Sequence, residues 1–562
     1  MDDGTLVGTK EDLLQILTFL KSEGPTYGLF LNTTKTIVWS PLHGSDFSSF
    51  NGLAEGVTSD GVKTLGAPFG TREQCDKLLD SKISKIEQIM DEICALPDTH
   101  LKVTLLQKCG VFPRICYTLR TAPGSSLPST LKRMDNAAFL ATRSILAHDA
   151  VLHDWHHKRL HLPRHFSGLN FPHPSIVSLS AYTGSAFQSI SLQAVILNKD
   201  PATLLDRYNN FILPTFNNSL EPSLRVAPIS NVNDIKNQHM LSRIQASNIF
   251  KNDVLNSPDP RMSNDDKKCA IACAHEDAVN IFQVNPTRSD YHNNELANHE
   301  MDIAVRLYLN LPVYAKEVKC PFCSKGILDV AGMHAIACAG KGDCNNRHNA
   351  LQNLIHEWCI ALGFDAHKEV GGLLPPKMDG SGKRLDNLIS GFLNAGDAGL
   401  DVTITHGFND SNILFNNFKA ESPILAKHNE KDDKYKTICY DRKIHFIPVV
   451  FTHLGGLGKG TILVLKAIAR GQAAKAQITT TVAMERLRSA IAVSLAKRQA
   501  FAIQSRGDAQ SVLFTNFPLS SFPKIEIINS PPASPSPLIP QPQPQPQSLS
   551  LSPIVNINII EI

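Results

Sequence analysis

Four residues between positions 320 and 338 have the types and the spacing of a zinc site. Cys320 and Cys323 form a C-x2-C pair, and His334 and Cys338 follow as an H-x3-C pair. Zinc takes four such thiolate and imidazole ligands in a tetrahedron, and a complete set indicates a structural Zn2+ rather than a catalytic one. Such a site would brace the segment that follows or hold a nucleic-acid strand. The alternative is a group of reduced core cysteines that happens to lie near a histidine.

Whether cysteines form disulfides or bind metal depends on the compartment in which the protein works. The chain has 12 cysteines, and no signal peptide follows Met1. No window approaches the roughly 18–20 apolar residues of a membrane span. We therefore expect an intracellular, nuclear protein without membrane contact, in which stable disulfides are rare and closely spaced cysteines are metal ligands. Cys344 and His348 lie near enough in sequence to replace one zinc ligand.

A second group of residues, further along the chain, could hold a catalytic metal. Glu369, Asp386, Asp401 and the lysines Lys431 and Lys434 follow in this order, with the two aspartates in successive strand-like runs. Neighbouring strands can bring two carboxylates together, and paired carboxylates bind Mg2+ or Mn2+. The metal activates water for phosphodiester cleavage, and a lysine stabilises the charge that develops. Solvated surface charge is the alternative, but a lone carboxylate within an apolar strand is costly.

The order of these motifs resembles the restriction-like endonuclease that closes one class of non-LTR retrotransposon proteins. The resemblance covers about 320–460, from the cysteine and histidine pairs to the sequence around Pro448. Its further motifs are Arg347-His348-Asn349, Arg384-Leu385-Asp386, Leu400-Asp401-Val402-Thr403, Lys431-Asp432-Asp433-Lys434-Tyr435 and Phe446-Ile447-Pro448. Leu385 stands where the family has a proline, which changes the start of the strand more than the chemistry.

The resemblance implies a PD-(D/E)XK fold and assigns roles to the acidic group. Asp386 and Asp401 would hold Mg2+ or Mn2+, and Glu369 would assist them. Lys431 would be the catalytic lysine, with Lys434 as the second choice. The implied partner is DNA, with an RNA template as a further candidate.

The N-terminal residues resemble the end of a reverse transcriptase palm. Met1-Asp2-Asp3-Gly4 is similar to the end of the Y-x-D-D box, in which Asp2 and Asp3 would be remnants of a two-metal site. Gly28–Asn32 with Lys35 resembles the next palm motif, and Leu65–Gly70 resembles the primer grip. Because the other side of the metal site would precede residue 1, we expect no polymerisation from this chain.

The elements that must position these residues make a mixed α/β protein of several domains. The composition, with 42% hydrophobic and 19% charged residues, permits ordinary cores, and a net charge of +3 neither demands nor excludes a nucleic-acid partner. We expect a truncated palm over 1–71, thumb-like helices over 72–148, a helical connector over 149–300, a zinc-binding element over 301–350, the endonuclease domain over 351–510, and a disordered Pro/Ser/Gln-rich tail over 516–562. The histidine-rich stretch 148–165 favours a solvated basic helix over a metal site.

Three functional hypotheses follow from the sequence. The first is a metal-dependent DNA endonuclease that nicks target DNA. The second is a catalytically inactive remnant that still grips nucleic acid through its zinc element. The third is a non-functional fragment, whose incomplete palm would expose strand edges and invite aggregation.

Overall fold

The structure is a computed structural model of the whole chain, in which twelve segments are described. They comprise residues 4–40, 47–58, 60–146, 151–171, 173–287, 294–323, 326–340, 342–372, 384–392, 396–408, 417–507 and 554–557. The strands are β1 Gly4–Val7, β2 Ile37–Trp39, β3 Gly56–Thr58, β4 Gly61–Thr64, β5 Ala67–Gly70, β6 Val318–Lys319, β7 Ile327–Leu328, β8 Ala366–Val370, β9 Leu385–Ile389, β10 Asp397–Thr405, β11 Ile444–Thr452 and β12 Ile554–Ile557.

Helices account for most of the regular structure. They are α1 Lys10–Ser22, α2 Arg72–Cys94, α3 Thr99–Cys109, α4 Val111–Thr121, α5 Pro128–Arg143, α6 Asp154–Leu160, α7 Pro174–Gln188, α8 Ile190–Leu197, α9 Pro201–Phe211, α10 Leu213–Asn217, α11 Gln238–Ile249, α12 Asn264–Cys273, α13 Asn298–Leu309, α14 Met333–Ala337, α15 Asp343–Ala361, α16 Ser422–Asp441, α17 Lys459–Ala476 and α18 Thr480–Gln504. The chain is therefore mixed α/β, as predicted. No helix in the described ranges has the length and apolar character needed to cross a membrane.

The chain divides into two compact units. The first comprises Met1–Lys85, Ile115–Met134 and Asn516–Ile562, and the second comprises Ile86–Arg114 and Asp135–Thr515. All the candidate zinc and acidic residues belong to the second unit. Within the range 72–148, for which helices are predicted, the structure describes α2 to α5. The interpretation of residues 1–148 as part of a palm and a thumb stays a prediction.

The first unit contains a small sheet and a short apolar core. Its sheet has the order β1-β12-β2-β3, and α1 buries Leu13 and Leu17 in the same cluster as Val38 and Phe50. Thr9 caps α1, since its side chain accepts a hydrogen bond from the Asp12 backbone N–H at 3.2 Å.

Within the range predicted to be a disordered tail, the structure describes one strand, at Ile554–Ile557. This segment forms β12, which pairs antiparallel with both β1 and β2. Its composition differs from the proline-rich sequence before it, because three of its four residues are β-branched and apolar. The rest of 516–562 lies outside the described residues.

The predicted solvated helix in the histidine-rich stretch is also wrong. His156 stacks on Trp155 with ring centroids 3.4 Å apart, and both side chains are buried. Buried His161 contacts the Phe171 carbonyl through Nδ1 at 2.6 Å. Burial lowers the pKa of His156 to about 2 and that of His161 to about 4. These histidines are neutral core residues, because the tertiary packing covers a helix whose sequence looks polar; His148 lies outside the described residues.

The second unit carries a mixed four-stranded sheet of order β11-β10-β9-β8. β8, β9 and β10 are antiparallel neighbours, whereas β11 runs parallel to β10. β11 is almost entirely buried although it lies at the sheet edge. An edge position suits Pro448, because proline has no N–H to donate to a further strand.

Helices that precede, connect and follow the strands of this sheet in the sequence position the candidate site. α15 precedes β8 and ends at Ala361. Leu362 is its C-cap, and the next residue, Gly363, adopts a φ of 88°. α16 connects β10 to β11, as a parallel pair requires a crossover. Its Tyr435 and Cys439 share an apolar cluster with Leu385 of β9 and with Ile444 and Phe446 of β11. α17 and α18 follow β11, and α18 also packs against α13, α14 and α15.

Candidate functional site

The four predicted zinc residues lie together in the structure. One ligand atom from each of Cys320, Cys323, His334 and Cys338 lies within 4.8 Å of the other three. The sulfurs of Cys320 and Cys338 are 3.9 Å apart, and Cys323 Sγ is 3.3 Å from His334 Nε2. Such distances fit the edges of a tetrahedron whose metal–ligand bonds are about 2.0–2.3 Å long. The cluster could therefore bind zinc with a complete ligand set.

A short hairpin and a short helix bring the four ligands together. β6 and β7 pair antiparallel and place Cys320 and Cys323 in the connection between them. α14 then carries His334, and Asp329 accepts hydrogen bonds from the first N–H groups of this helix, including that of His334 at 2.6 Å. Gly326 is required by space, since a Cβ there would lie 2.0 Å from the His334 ring.

The backbone around Cys320 favours the ligating form of its thiol. Burial raises the pKa of this thiol, but hydrogen bonds from the backbone N–H groups of Phe322 and Cys323 and from His334 outweigh it and lower the pKa to about 6. A thiolate is the form that binds metal. The donor set and this stabilisation both suit zinc.

The zinc element is fixed to the helices that follow it. Arg506, beyond the end of α18, pairs with Asp343 at the start of α15 and donates to the Cys338 carbonyl at 3.2 Å. Arg347 donates to the Ile336 carbonyl. The predicted substitute Cys344 is not part of the cluster, because its thiol contacts backbone carbonyls at 3.5–3.6 Å instead.

The three predicted acids lie side by side on three adjacent strands. Glu369 on β8 lies between the paired positions Lys368–Asn387 and Val370–Leu385, and is therefore opposite Asp386 on β9. The last pair between β9 and β10 is Asn387–Leu400, so the next position on each strand is Asp386 and Asp401. The sheet register thus aligns the acids in one row. The strand positions predicted for the two aspartates are confirmed.

Asp401 forms a nearly buried ion pair with Lys431. Its Oδ2 lies 2.6 Å from Lys431 Nζ on α16, and the side chains are only 6% and 14% exposed. Burial raises the pKa of Asp401 and the neighbouring Asp386 raises it further, whereas Lys431 opposes both effects. The lysine therefore helps to keep a carboxylate ionised in a site that disfavours its charge.

Asp386 is held by the sheet on one side and by α15 on the other. Its Oδ2 accepts the backbone N–H of Val402 at 2.6 Å, and its Oδ1 lies 3.4 Å from His348 Nε2. This hydrogen bond to Asp386 raises the pKa of His348. One turn later on the same helix, buried Gln352 donates to the Asp386 carbonyl at 2.7 Å and to Glu369 Oε1 at 3.1 Å.

Glu369 adopts a backbone conformation that is unusual for its type. Its φ is 53°, in the left-handed region that costs a non-glycine residue about 1–2 kcal/mol. Strain of this kind concentrates at functional sites. In this site the strained residue is one whose carboxylate Gln352 holds beside Asp386. One ligand atom each from His348, Glu369 and Asp386 lies within 4.8 Å of the other two.

The structure distinguishes the two candidate lysines. Lys434 is exposed and its Nζ lies 4.8 Å from the centre of the Tyr435 ring, where a hydrogen bond to Tyr435 raises its pKa. Lys431 contacts Asp401 directly. The structure therefore brings Glu369, Asp386, Asp401 and Lys431 together, and leaves Lys434 beside them.

Of the residues proposed as polymerase remnants, the structure describes only Lys35. Lys35 lies in an exposed turn of the first unit, where its backbone N–H donates to Asn32 Oδ1 at 3.2 Å. Asp2 and Asp3 lie outside the described residues. Their assignment stays a prediction.

Two site residues have roles that the sequence did not indicate. The sequence suggests His348 as a substitute zinc ligand, but it lies at the acidic row, and Gln352 belongs to none of the predicted motifs. The available signal is their spacing of four residues, which places both on one face of α15.

Comparison with known proteins gives no further assignment. No protein-family model matches the chain, and no curated protein matches it. Any functional conclusion therefore depends on the residues and geometry described above.

Proposed function

We propose that the segment from α15 to α18 is a metal-dependent endonuclease domain that nicks DNA, in a protein derived from a non-LTR retrotransposon. The observation that carries the proposal is the row of Glu369, Asp386 and Asp401 on three neighbouring strands, with Lys431 2.6 Å from Asp401. The motif resemblance covers the same residues. Solvated surface charge does not account for the two aspartates, because Asp386 and Asp401 as whole residues are only 9% and 4% exposed.

The donor set suits a divalent cation. Asp386 and Glu369 would hold Mg2+ or Mn2+ through carboxylate oxygens, and the neighbouring Asp401 would complete the acidic side of the site. A bound cation supplies an activated water and stabilises charge on the phosphate. Gln352 orients two of the acids, since it donates to Glu369 and to the Asp386 backbone.

Lys431 would act on the phosphodiester directly. It lies beside the metal-binding row, where its ammonium can neutralise charge on the phosphate oxygens as the bond breaks. In the absence of substrate it pairs with Asp401. Substrate phosphate would compete for this cation, so the ion pair would loosen as the complex forms.

A basic helix next to the site supports a polyanionic substrate. α17 contains Lys459, Lys466, Arg470 and Lys475 and no acidic residue, and these four side chains are exposed. The helix begins close to the catalytic row. The N–H of Gly458, just before the helix, donates to the carbonyl of Val450, and Val450 lies two residues beyond Pro448, the strand partner of Asp401. Lys459, Lys466 and Arg470 share one face of α17 by their helical spacing, and a positive stripe of this kind fits the phosphate backbone.

The test is nicking of supercoiled DNA by the full chain with Mg2+ or Mn2+. We expect Asp401→Asn and Lys431→Met to lower the rate by about 100-fold or more, as removal of a group that stabilises the transition state does. Asp397→Asn is the matched control, because it lies on the same strand four residues away, about 13 Å. The proposal fails if the folded, zinc-containing chain does not cut, or if Asp401→Asn cuts as fast as Asp397→Asn; DNA binding without cutting would support the inactive remnant.

A further inference from the structure

The acidic row has a nitrogen ligand beside it. His348 Nε2 lies 3.4 Å from Asp386 Oδ1, and it forms a group with the carboxylates of Asp386 and Glu369 in which all ligand atoms are within 4.8 Å. One imidazole and two carboxylates at this spacing can bind one cation on a common face. Asp401 is not part of this group, and its Oδ2 pairs with Lys431.

The position of His348 is set by elements on both sides of it. It lies in the second turn of α15. Asp343 fixes the start of this helix to Arg506, and Arg347, next to His348, fixes it to the zinc element. One turn further on, Gln352 is bonded to two of the strands. The imidazole is therefore held beside the carboxylates by contacts that do not depend on a metal.

A histidine at this place changes which cation the site prefers. Mg2+ demands an octahedron of oxygen ligands and loses its water reluctantly. First-row transition ions accept imidazole nitrogen as well as carboxylate oxygen. An all-oxygen site would serve Mg2+, whereas the observed group offers one nitrogen for two carboxylate groups.

We propose that His348 is a direct ligand of the catalytic cation and that it makes the site selective for Mn2+ over Mg2+. The inference rests on the proposed function, since it concerns the metal of the same site. It goes further by assigning the third ligand and the class of ion.

The test measures metal binding without DNA. Mn2+ is titrated into the zinc-loaded full chain and its free form is followed by electron paramagnetic resonance, with Mg2+ as the competitor. We expect His348→Gln to weaken Mn2+ binding by about tenfold or more, because even residues behind a ligand affect affinity by that amount. Mg2+ affinity should change by less than about threefold, so the preference for Mn2+ falls. The control His367→Gln removes an exposed imidazole of β8 that pairs with Asp365 and should leave both affinities unchanged.

A second variant keeps the test decisive if His348→Gln loosens the fold. His348→Glu places an oxygen ligand at the same point, so it should retain metal while shifting the preference towards Mg2+. The inference is overturned if His348→Gln leaves Mn2+ affinity unchanged, or if both variants weaken Mn2+ and Mg2+ binding equally. Retained Mn2+ selectivity without DNA cleavage would refute the proposed function alone, and cleavage with a metal preference independent of His348 would refute this inference alone.

Discussion

Lys431→Met would remove the partner of a buried carboxylate and so expose the energetics of the site. The side chains of Asp401 and Lys431 are 6% and 14% exposed, and Asp401 Oδ2 lies 2.6 Å from Lys431 Nζ. Breaking a buried ion pair by removing one partner costs about 3–5 kcal/mol, since the remaining charge is left without compensation. The partial exposure of the lysine places the expected loss near the lower end, at about 3 kcal/mol.

The cost should depend on pH in a defined direction. The folded-state pKa of Asp401 is raised above its ordinary value of 3.8. The stability that this group contributes is therefore fully present below pH 3.8 and is lost as the pH rises through the folded-state pKa. Removing Lys431 raises that pKa further. The difference between Lys431→Met and the unmodified chain should be small near pH 4 and grow towards pH 7.5.

The assay is hydrogen exchange followed by mass spectrometry on peptides that cover β10. It gives the opening free energy of the sheet itself, which is better defined than one unfolding energy for a chain with two compact units. The Asp401→Asn/Lys431→Met double variant removes both charges and should recover about 2 kcal/mol of the loss. Lys434→Met is the matched control on the same helix and should cost well under about 1 kcal/mol, because its ammonium is exposed.

Either of two results would contradict the expected interaction between Asp401 and Lys431. One is a loss below about 0.5 kcal/mol for Lys431→Met at pH 7.5, which would mean that Asp401 is hydrated or neutral without its partner. The other is additive behaviour of the double variant, which would mean that the two side chains do not interact.

Three further predictions concern other parts of the chain. The full chain should hold one zinc by native mass spectrometry, and Cys320→Ser should release it and increase proteolysis around β6 and β7; an unchanged metal content would show that the cluster is not the zinc site. The Lys466→Ala/Arg470→Ala double variant should weaken nonspecific DNA binding. It should also lower the slope of log affinity against log salt by about 2, one for each phosphate that the variant no longer neutralises. An unchanged slope would mean that the DNA binds elsewhere. His161 has a folded-state pKa of about 4, below its ordinary 6.5, so its stabilising effect is complete above pH 6.5 and is lost as the pH falls towards 4. At pH 5 the stability lost is about 2 kcal/mol, and it should be seen as faster hydrogen exchange in α6. His161→Gln should flatten this pH dependence.

Local sequence was enough to define the short-range parts of the two sites. The zinc pairs are recognisable because each pair lies within one turn, so its geometry depends on neighbouring residues only. Asp386 and Asp401 could be placed on strands because each lies in a short apolar run. The spacing of Leu351, Ile355 and Trp358 likewise predicts a helix in the region of α15, and Gly363 predicts where it ends.

Which distant residues meet depends on the packing of whole elements. The register of β8, β9 and β10 aligns Glu369 with the two aspartates, and the packing of α15 brings His348 to this row instead of to the zinc cluster. The buried pair of Asp343 and Arg506 joins residues 163 positions apart. Burial of the histidines near α6 likewise depends on the elements that cover them. Side-chain type and spacing define chemistry over a turn or a strand, whereas contacts across the chain arise from the mutual arrangement of helices and strands, which local patterns do not encode.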